Sequence, residues 1–216
     1  MSDYASRRIV MVDTQVRPSD VTKFPIIEAM LAVPREVYVP IARREAAYVG
    51  QNVDIGAGRV VLEARTFAKL LDAMDIVPTD RVLDVGCALG YSTAVLARLA
   101  ASVVAVEEIA EWAAAAQANF AAQGVVATVV QAALRSGAAA QGPYDAITVQ
   151  GGVEAIPDAL LDQLKDGGRI GAVFMEGALG IARIGHKSGG RISWRFAFNA
   201  TAPVLRGFAA ARAFAL

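Results

Sequence analysis

Cysteine and histidine are almost missing from this chain, with one of each in 216 residues. A lone cysteine, Cys87, excludes an intrachain disulfide and any zinc site built on cysteines. No metal is expected. An excess of charge of one sign is also missing, because 21 Lys and Arg balance 21 Asp and Glu. That argues against a nucleic-acid binder working through bulk electrostatics, though not against a local patch. Long apolar runs are absent as well. The longest stretch without charge, residues 112–134, is interrupted by Gln117, Asn119, Gln123, Gly124 and Gln131. It reads as helix, turn and strand rather than a membrane span. The first eight residues, Met1 to Arg8, are polar and lack the apolar segment of a secretory leader. The expectation is a cytoplasmic protein with neither membrane nor nucleic acid as partner. The length suits one α/β domain with an appendage.

What is present is concentrated in Arg81-Val82-Leu83-Asp84-Val85-Gly86-Cys87-Ala88-Leu89-Gly90-Tyr91. An apolar strand runs into an acid and two glycines, and the small-residue helix Ser92 to Ala97 follows. Glycine at such a turn lets backbone N–H groups approach a ligand closely. A dinucleotide turn requires G-x-G-x-x-G, but the second and third glycine positions hold Ala88 and Tyr91. The spacing is D-x-G-x-x-x-G, the form usual for S-adenosylmethionine (SAM) rather than NAD. About twenty residues later the strand Ser102–Val106 ends in Glu107, placed to accept both ribose hydroxyls of an adenosine. The competing role for Glu107 is a cap on the next helix. Cys87 reads as a small residue tolerated beside a ligand. His186, in the glycine-rich run Gly185 to Gly190, reads as solvated surface.

Along the chain, a short helical arm at Met11–Gln15 precedes a helix over Lys23–Ala32 with Phe24, Ile27, Met30 and Leu31 on one face. Gly56-Ala57-Gly58 makes a turn, and Phe67–Met74 forms an amphipathic helix. From Arg81 onward strands and helices alternate: strands at 81–85, 103–106, 128–130, 146–149 and 169–174, helices at 92–100, 111–122 and 156–164. This predicts an α/β fold with a doubly wound, mainly parallel Rossmann-like sheet and ligands at the strands' C-terminal edge. The hairpin signal at 185–190 adds antiparallel C-terminal strands. Three parts are expected: an N-terminal helical lobe with the acceptor segment (1–78), a SAM-binding core (79–182) and the C-terminal strands of the same sheet (183–216). The tail carrying Trp194, Phe196, Phe198 and Phe208 suits either an edge strand or a homodimer contact.

The segments resemble the protein-L-isoaspartate O-methyltransferase family over roughly residues 9–175. Ile27 to Pro40 is similar to its N-terminal signature; Asp84, Gly86, Gly90 and Tyr91 match its cofactor loop, and Glu107 its ribose acid. Pro143 to Ile147 and Ile156 to Arg169 match its later strands and the helix between them. The resemblance implies a SAM-dependent enzyme, with S-adenosylhomocysteine as product, that methylates isoaspartyl carboxylates and so repairs damaged proteins. The cofactor contacts it and the motif suggest are Asp84, Gly86, Cys87, Ala88, Gly90, Tyr91, Ser92, Glu107, Glu108, Ala132 and Gln150.

The departures fall at functional positions. Where the family has Gln-Thr-Ile-Ser this chain reads Arg59-Val60-Val61-Leu62, so Leu62 stands at the serine position. Gln131-Ala132-Ala133 replaces a Gly-Asp pair that reaches the adenine. No catalytic residue is assigned. Arg59 and Arg65 are candidate contacts for an anionic acceptor; the slightly favoured alternative is an exposed Arg59–Glu63–Arg65 charge cluster worth little. The alternatives are a divergent SAM-dependent methyltransferase with another acceptor and a non-catalytic SAM-binding protein. An NAD oxidoreductase is disfavoured by the glycine spacing.

Overall fold

The computed structural model describes residues 3–210. Its N-terminal part carries α1 (Tyr4–Met11), continued by a wider turn through Val16, then α2 (Phe24–Ala32) and several 3₁₀ turns. The hairpin β1 (Val53–Gly56) and β2 (Arg59–Val61) and the helix α3 (Ala64–Met74) lead into the core. There follow β3 (Arg81–Val85), α4 (Tyr91–Leu96), β4 (Ser102–Glu107), α5 (Ala110–Gln123), β5 (Thr128–Gln131) and β6 (Tyr144–Val153). The one-turn α6 (Asp158–Leu161), β7 (Leu164–Glu176), β8 (Leu179–Ser188) and β9 (Arg191–Asn199) complete the order.

The seven-stranded sheet runs β5-β4-β3-β6-β7-β8-β9. The first five strands in that order are parallel, and β8 and β9 are antiparallel. This is the doubly wound Rossmann-like sheet with an antiparallel C-terminal edge. Its winding reverses between β3 and β6, so the crevice for a ligand opens at the carboxyl ends of those strands. The buried pattern of β3 and β4 shows why they are central. Each is exposed only at its first residue, as a strand covered on both faces must be.

Several elements depart from the periodicity expectations. In α2 the buried residues are Ile26, Ile27, Ala29 and Met30, while Phe24 is 70% exposed. Pro25 in the first turn sets the helix start, and the apolar face is turned one residue from the expected one. The helix expected over 156–164 is a single turn, because β7 already begins at Leu164. The helix after the glycine turn ends at Leu96, where Arg98 and Leu99 donate to Val95 and Leu96 in tighter 3₁₀ bonds.

Two contacts hold α3 and α4 on the sheet. Arg169 of β7 donates through Nε to the Met74 carbonyl at 2.6 Å and pairs with Asp80, both side chains largely buried. Gly90, at φ 102°, starts α4, and a Cβ there would lie 2.5 Å from the Phe120 ring. Arg169→Leu is expected to destabilise by about 3–5 kcal/mol, because it strands the buried Asp80, whereas Arg65→Ala on the surface should cost under about 0.5 kcal/mol. Urea unfolding of both variants measures the contrast. Gly90→Ala combines a left-handed backbone with a clash and should cost more than the roughly 1 kcal/mol of an ordinary Gly-to-Ala mismatch; thermal melts test it.

Candidate functional site

Asp84 lies at the carboxyl end of β3 and is fully buried. Its Oδ2 accepts from the Ser92 and Thr93 hydroxyls, both at 2.6 Å. Its Oδ1 accepts from Thr148 Oγ1 at 2.9 Å and Gln150 Nε2 at 2.8 Å. Burial pushes the Asp84 carboxyl upward and the four hydrogen bonds work against it. Of the donors, Ser92 and Gln150 were expected at the site; Thr93 and Thr148 were not, since a threonine in a helix or strand carries no motif signal.

After Asp84 the chain turns through Gly86 (φ 83°) and Ala88 (φ 52°). Ala88 holds a left-handed conformation in which glycine is the unstrained residue. Its amide donates to Glu107 Oε2 at 2.8 Å. Cys87 is buried, and its thiol pKa is raised by that burial first and then by the Asp84 and Glu107 charges. It is packing rather than a nucleophile. Tyr91 is buried under Arg35, whose guanidinium carbon lies 4.7 Å from the ring centroid.

Glu107 ends β4 with no exposure. Its Oε1 accepts from the amides of Glu108 at 2.9 Å and Ile109 at 3.1 Å, so it does cap the approach to α5. It also receives Arg59. That guanidinium reaches both carboxylate oxygens, Nη1 at 3.3 Å and Nη2 at 3.2 Å, and Nη2 donates to the Gly86 carbonyl at 2.8 Å. Arg59 is 4% exposed. The expectation of an exposed Arg59–Glu63–Arg65 cluster is corrected here: Arg59 points inward because β2 leads from the exposed turn at Gly56–Gly58 directly over the glycine loop. Arg65 alone is at the surface, 3.8 Å from Glu63.

Leu62 is buried and faces the turn. It lines a small pocket of about 20 Å³ with Val60, Phe67, Gly86, Ser92 and Gln150. Its carbonyl accepts from Arg35 Nη2 at 2.7 Å. Arg35, 1% exposed, escaped the sequence reading, because a buried arginine held by carbonyls looks like any surface arginine in sequence. Beyond Arg59 two clefts adjoin. One of about 360 Å³ is lined by Ala57, Gly58, Arg59, Glu108, Ile109, Val204 and Arg206; the next, of about 500 Å³, by Glu108, Ala133, Leu134, Arg135, Arg206 and Gly207. Ala132 is half-buried and does not line them; its amide donates to the Glu107 carbonyl at 3.1 Å, and Ala133 and Leu134 form the wall. The segment 203–208 returns to the site against β6. Leu205 N donates to Gly152 O at 2.9 Å, and a Cβ on Gly151 would lie 2.5 Å from Leu205. The glycines near the end of β6 make room for that return.

The residues fit an adenosyl cofactor in the glycine cradle, in the two strand-end acids and in the cleft of about 500 Å³ walled by Ala133 and Leu134. The one element out of place is Arg59, which occupies the Glu107 carboxylate where the sequence reading expects a ribose.

Comparison with known proteins agrees with this geometry. The family model for protein-L-isoaspartate(D-aspartate) O-methyltransferase matches residues 10–192. A protein-L-isoaspartate O-methyltransferase of Methylorubrum extorquens (strain PA1) is 38% identical over 168 residues, 78% of this chain and 74% of that protein. One of Methylorubrum populi is 34% identical over 213 residues, 98% of this chain and all of that protein. A solved protein-L-isoaspartate O-methyltransferase shares the fold at TM-score 0.79 and 21% identity, covering 94% of this chain and 66% of that one. A Plasmodium falciparum structure described as this enzyme in complex with S-adenosyl-L-homocysteine gives TM-score 0.77 at 19% identity, covering 95% and 99%. With the family model spanning most of its length and relatives aligned across more than two thirds of both chains, this chain belongs to the protein-L-isoaspartate(D-aspartate) O-methyltransferase family.

Proposed function

We propose that this chain transfers a methyl group from SAM to a protein carboxylate, with isoaspartyl residues as the acceptor. The observation that carries it is the pair Asp84 and Glu107, two buried acids at the carboxyl ends of adjacent parallel strands with Gly86 between them. When bound, the cofactor supplies an electrophilic methyl group on a sulfonium. Asp84 offers negative charge beside the cradle, Gly86 and Ala88 leave the backbone accessible, and Glu107 offers an acceptor to a ribose hydroxyl once Arg59 withdraws. Ala133 and Leu134 give an apolar wall for the adenine in place of the absent acid.

A carboxylate acceptor, with a reference pKa of about 4, is already ionised at pH 7 and needs no general base. What remains for the protein is placement and exclusion of water, together worth up to about 7–11 kcal/mol. Leu62 and Phe67, both buried, and the half-buried Val60 present apolar surface to the turn. Their role is to keep the reacting centre dry.

Labelled methyl transfer from SAM to a peptide with one isoaspartate, against the aspartyl peptide as control, is expected to be selective for the isoaspartate. Labelling of neither peptide by folded, SAM-binding protein would remove this acceptor and favour the divergent-acceptor reading suggested by Leu62. Leu62→Ser restores a hydroxyl beside the turn. It is expected to raise kcat/KM for the isoaspartyl peptide about ten- to a hundredfold, the worth of one hydrogen bond to a charged group. The same change should lower stability by about 2–5 kcal/mol through lost apolar burial, so kinetics and denaturation must be measured on the same preparation.

A further inference from the structure

Five hydrogen-bond contacts converge on the Glu107 carboxylate: two from Arg59 and three from the amides of Ala88, Glu108 and Ile109. A carboxylate offers about four lone-pair sites. Its acceptor capacity is used up while Arg59 stays, and three amides on about four sites leave room for one ribose hydroxyl once Arg59 withdraws. The amides are fixed by the turn and by the start of α5. Arg59 is the one donor on a side chain.

Its hold on Glu107 is loose. The two contacts are 3.2 and 3.3 Å, longer than the roughly 2.7–2.9 Å of well-made charge-assisted bonds. Its shortest bond goes to the Gly86 carbonyl, and its Nε, buried, has no partner. A guanidinium so held is imperfectly satisfied where it sits. It already forms one wall of the 360 Å³ cleft, with Arg206 and Glu108 as the other charged groups. Arg206 is exposed and makes no ion pair among the described residues. Once Arg59 turns from Glu107, two guanidiniums face one carboxylate in that cleft. The excess positive charge suits a single carboxylate ligand.

Resting on the proposed methyl transfer to a carboxylate, we infer that Arg59 is a specificity-determining residue exchanged between two partners. Without cofactor it occupies the ribose position at Glu107. Ribose binding at Glu107 displaces it into the cleft beside Arg206, where it receives the carboxylate of the acceptor. Binding is then ordered: the cofactor must enter first, because its ribose frees the group that holds the acceptor. The two ligands are coupled reciprocally, and Arg59 opposes one while serving the other.

The test compares the 216-residue chain with its Arg59→Gln variant by calorimetry, using S-adenosylhomocysteine and an isoaspartyl peptide as ligands. Arg59→Gln is expected to bind S-adenosylhomocysteine about ten- to a hundredfold tighter than the unchanged protein. In the presence of saturating S-adenosylhomocysteine it should bind the peptide at least tenfold more weakly. The unchanged protein should bind the peptide measurably only after S-adenosylhomocysteine is added. Arg59→Lys, which keeps the charge and loses the two-pronged reach, should show the same tightening to a smaller degree, and serves if the glutamine variant melts early. A purely structural arginine would move both affinities down together. Unchanged or weakened cofactor binding in both variants overturns the exchange while leaving the methyltransferase reading intact. Failure of all three proteins to bind S-adenosylhomocysteine overturns the cofactor reading and the exchange with it.

Discussion

A fully buried carboxylate, Asp84, organises this molecule. A charge without exposure is expensive unless its lone pairs are filled, and Asp84 fills them from two elements: Ser92 and Thr93 on α4, Thr148 and Gln150 on β6. Those elements lie on either side of the point where the sheet's winding reverses. The hydrogen bonds thereby fix the start of α4 against β3 and draw β6 into register, so the glycine turn has one shape. The turn is built with strain in it. Ala88 is held left-handed, and what holds it is its amide bonded to Glu107.

The second acid is satisfied differently, and that difference shapes the site. Every partner of Asp84 is a neutral donor in a rigid element. Glu107 has backbone amides for part of its capacity and the Arg59 guanidinium, which lies 5.6 Å from the Trp112 ring centroid, for the rest. Asp84 is a fixture of the fold; Glu107 is half fixture and half socket. Substitution of Gln by Arg at position 59, relative to the family pattern, is the change that makes it so, because a glutamine at that position would bring no charge to Glu107.

Much of this was legible in the residues. The strand Arg81–Val85 has the bounds the sequence predicts, because a short apolar run leading into Asp-x-Gly admits little else. The doubly wound sheet followed from the alternation of strands and helices, and the antiparallel edge from Gly189-Gly190 between two strand-like runs. What was not legible depends on where a polar side chain points. Arg35, Arg59 and Arg65 look alike in sequence, yet the first holds carbonyls beneath Tyr91, the second fills the site and the third is in solvent. Local period cannot separate them, since the burial of each is decided by elements far away in the chain. The return of Leu205 and Phe208 to β6 was hidden for the same reason. Its only local trace is Gly151-Gly152, which sequence alone reads as a loose turn.

The N-terminal lobe and the cofactor turn are one packed unit rather than a lid on a finished site. Arg35 binds the Ala47 carbonyl at 2.6 Å and the Leu62 carbonyl at 2.7 Å while its guanidinium lies on the Tyr91 ring. One buried cation thus joins the stretch where the family places its acceptor residues to the first residue of α4. Leu62 at the serine position then has a physical sense beyond a lost hydroxyl. Its side chain fills space against the turn and leaves a cavity of about 20 Å³, too little to hold more than about one water. Electrostatic attraction strengthens as water is removed, so a drier centre with arginines at its rim can hold a carboxylate by charge where a hydroxyl would have held it by a hydrogen bond.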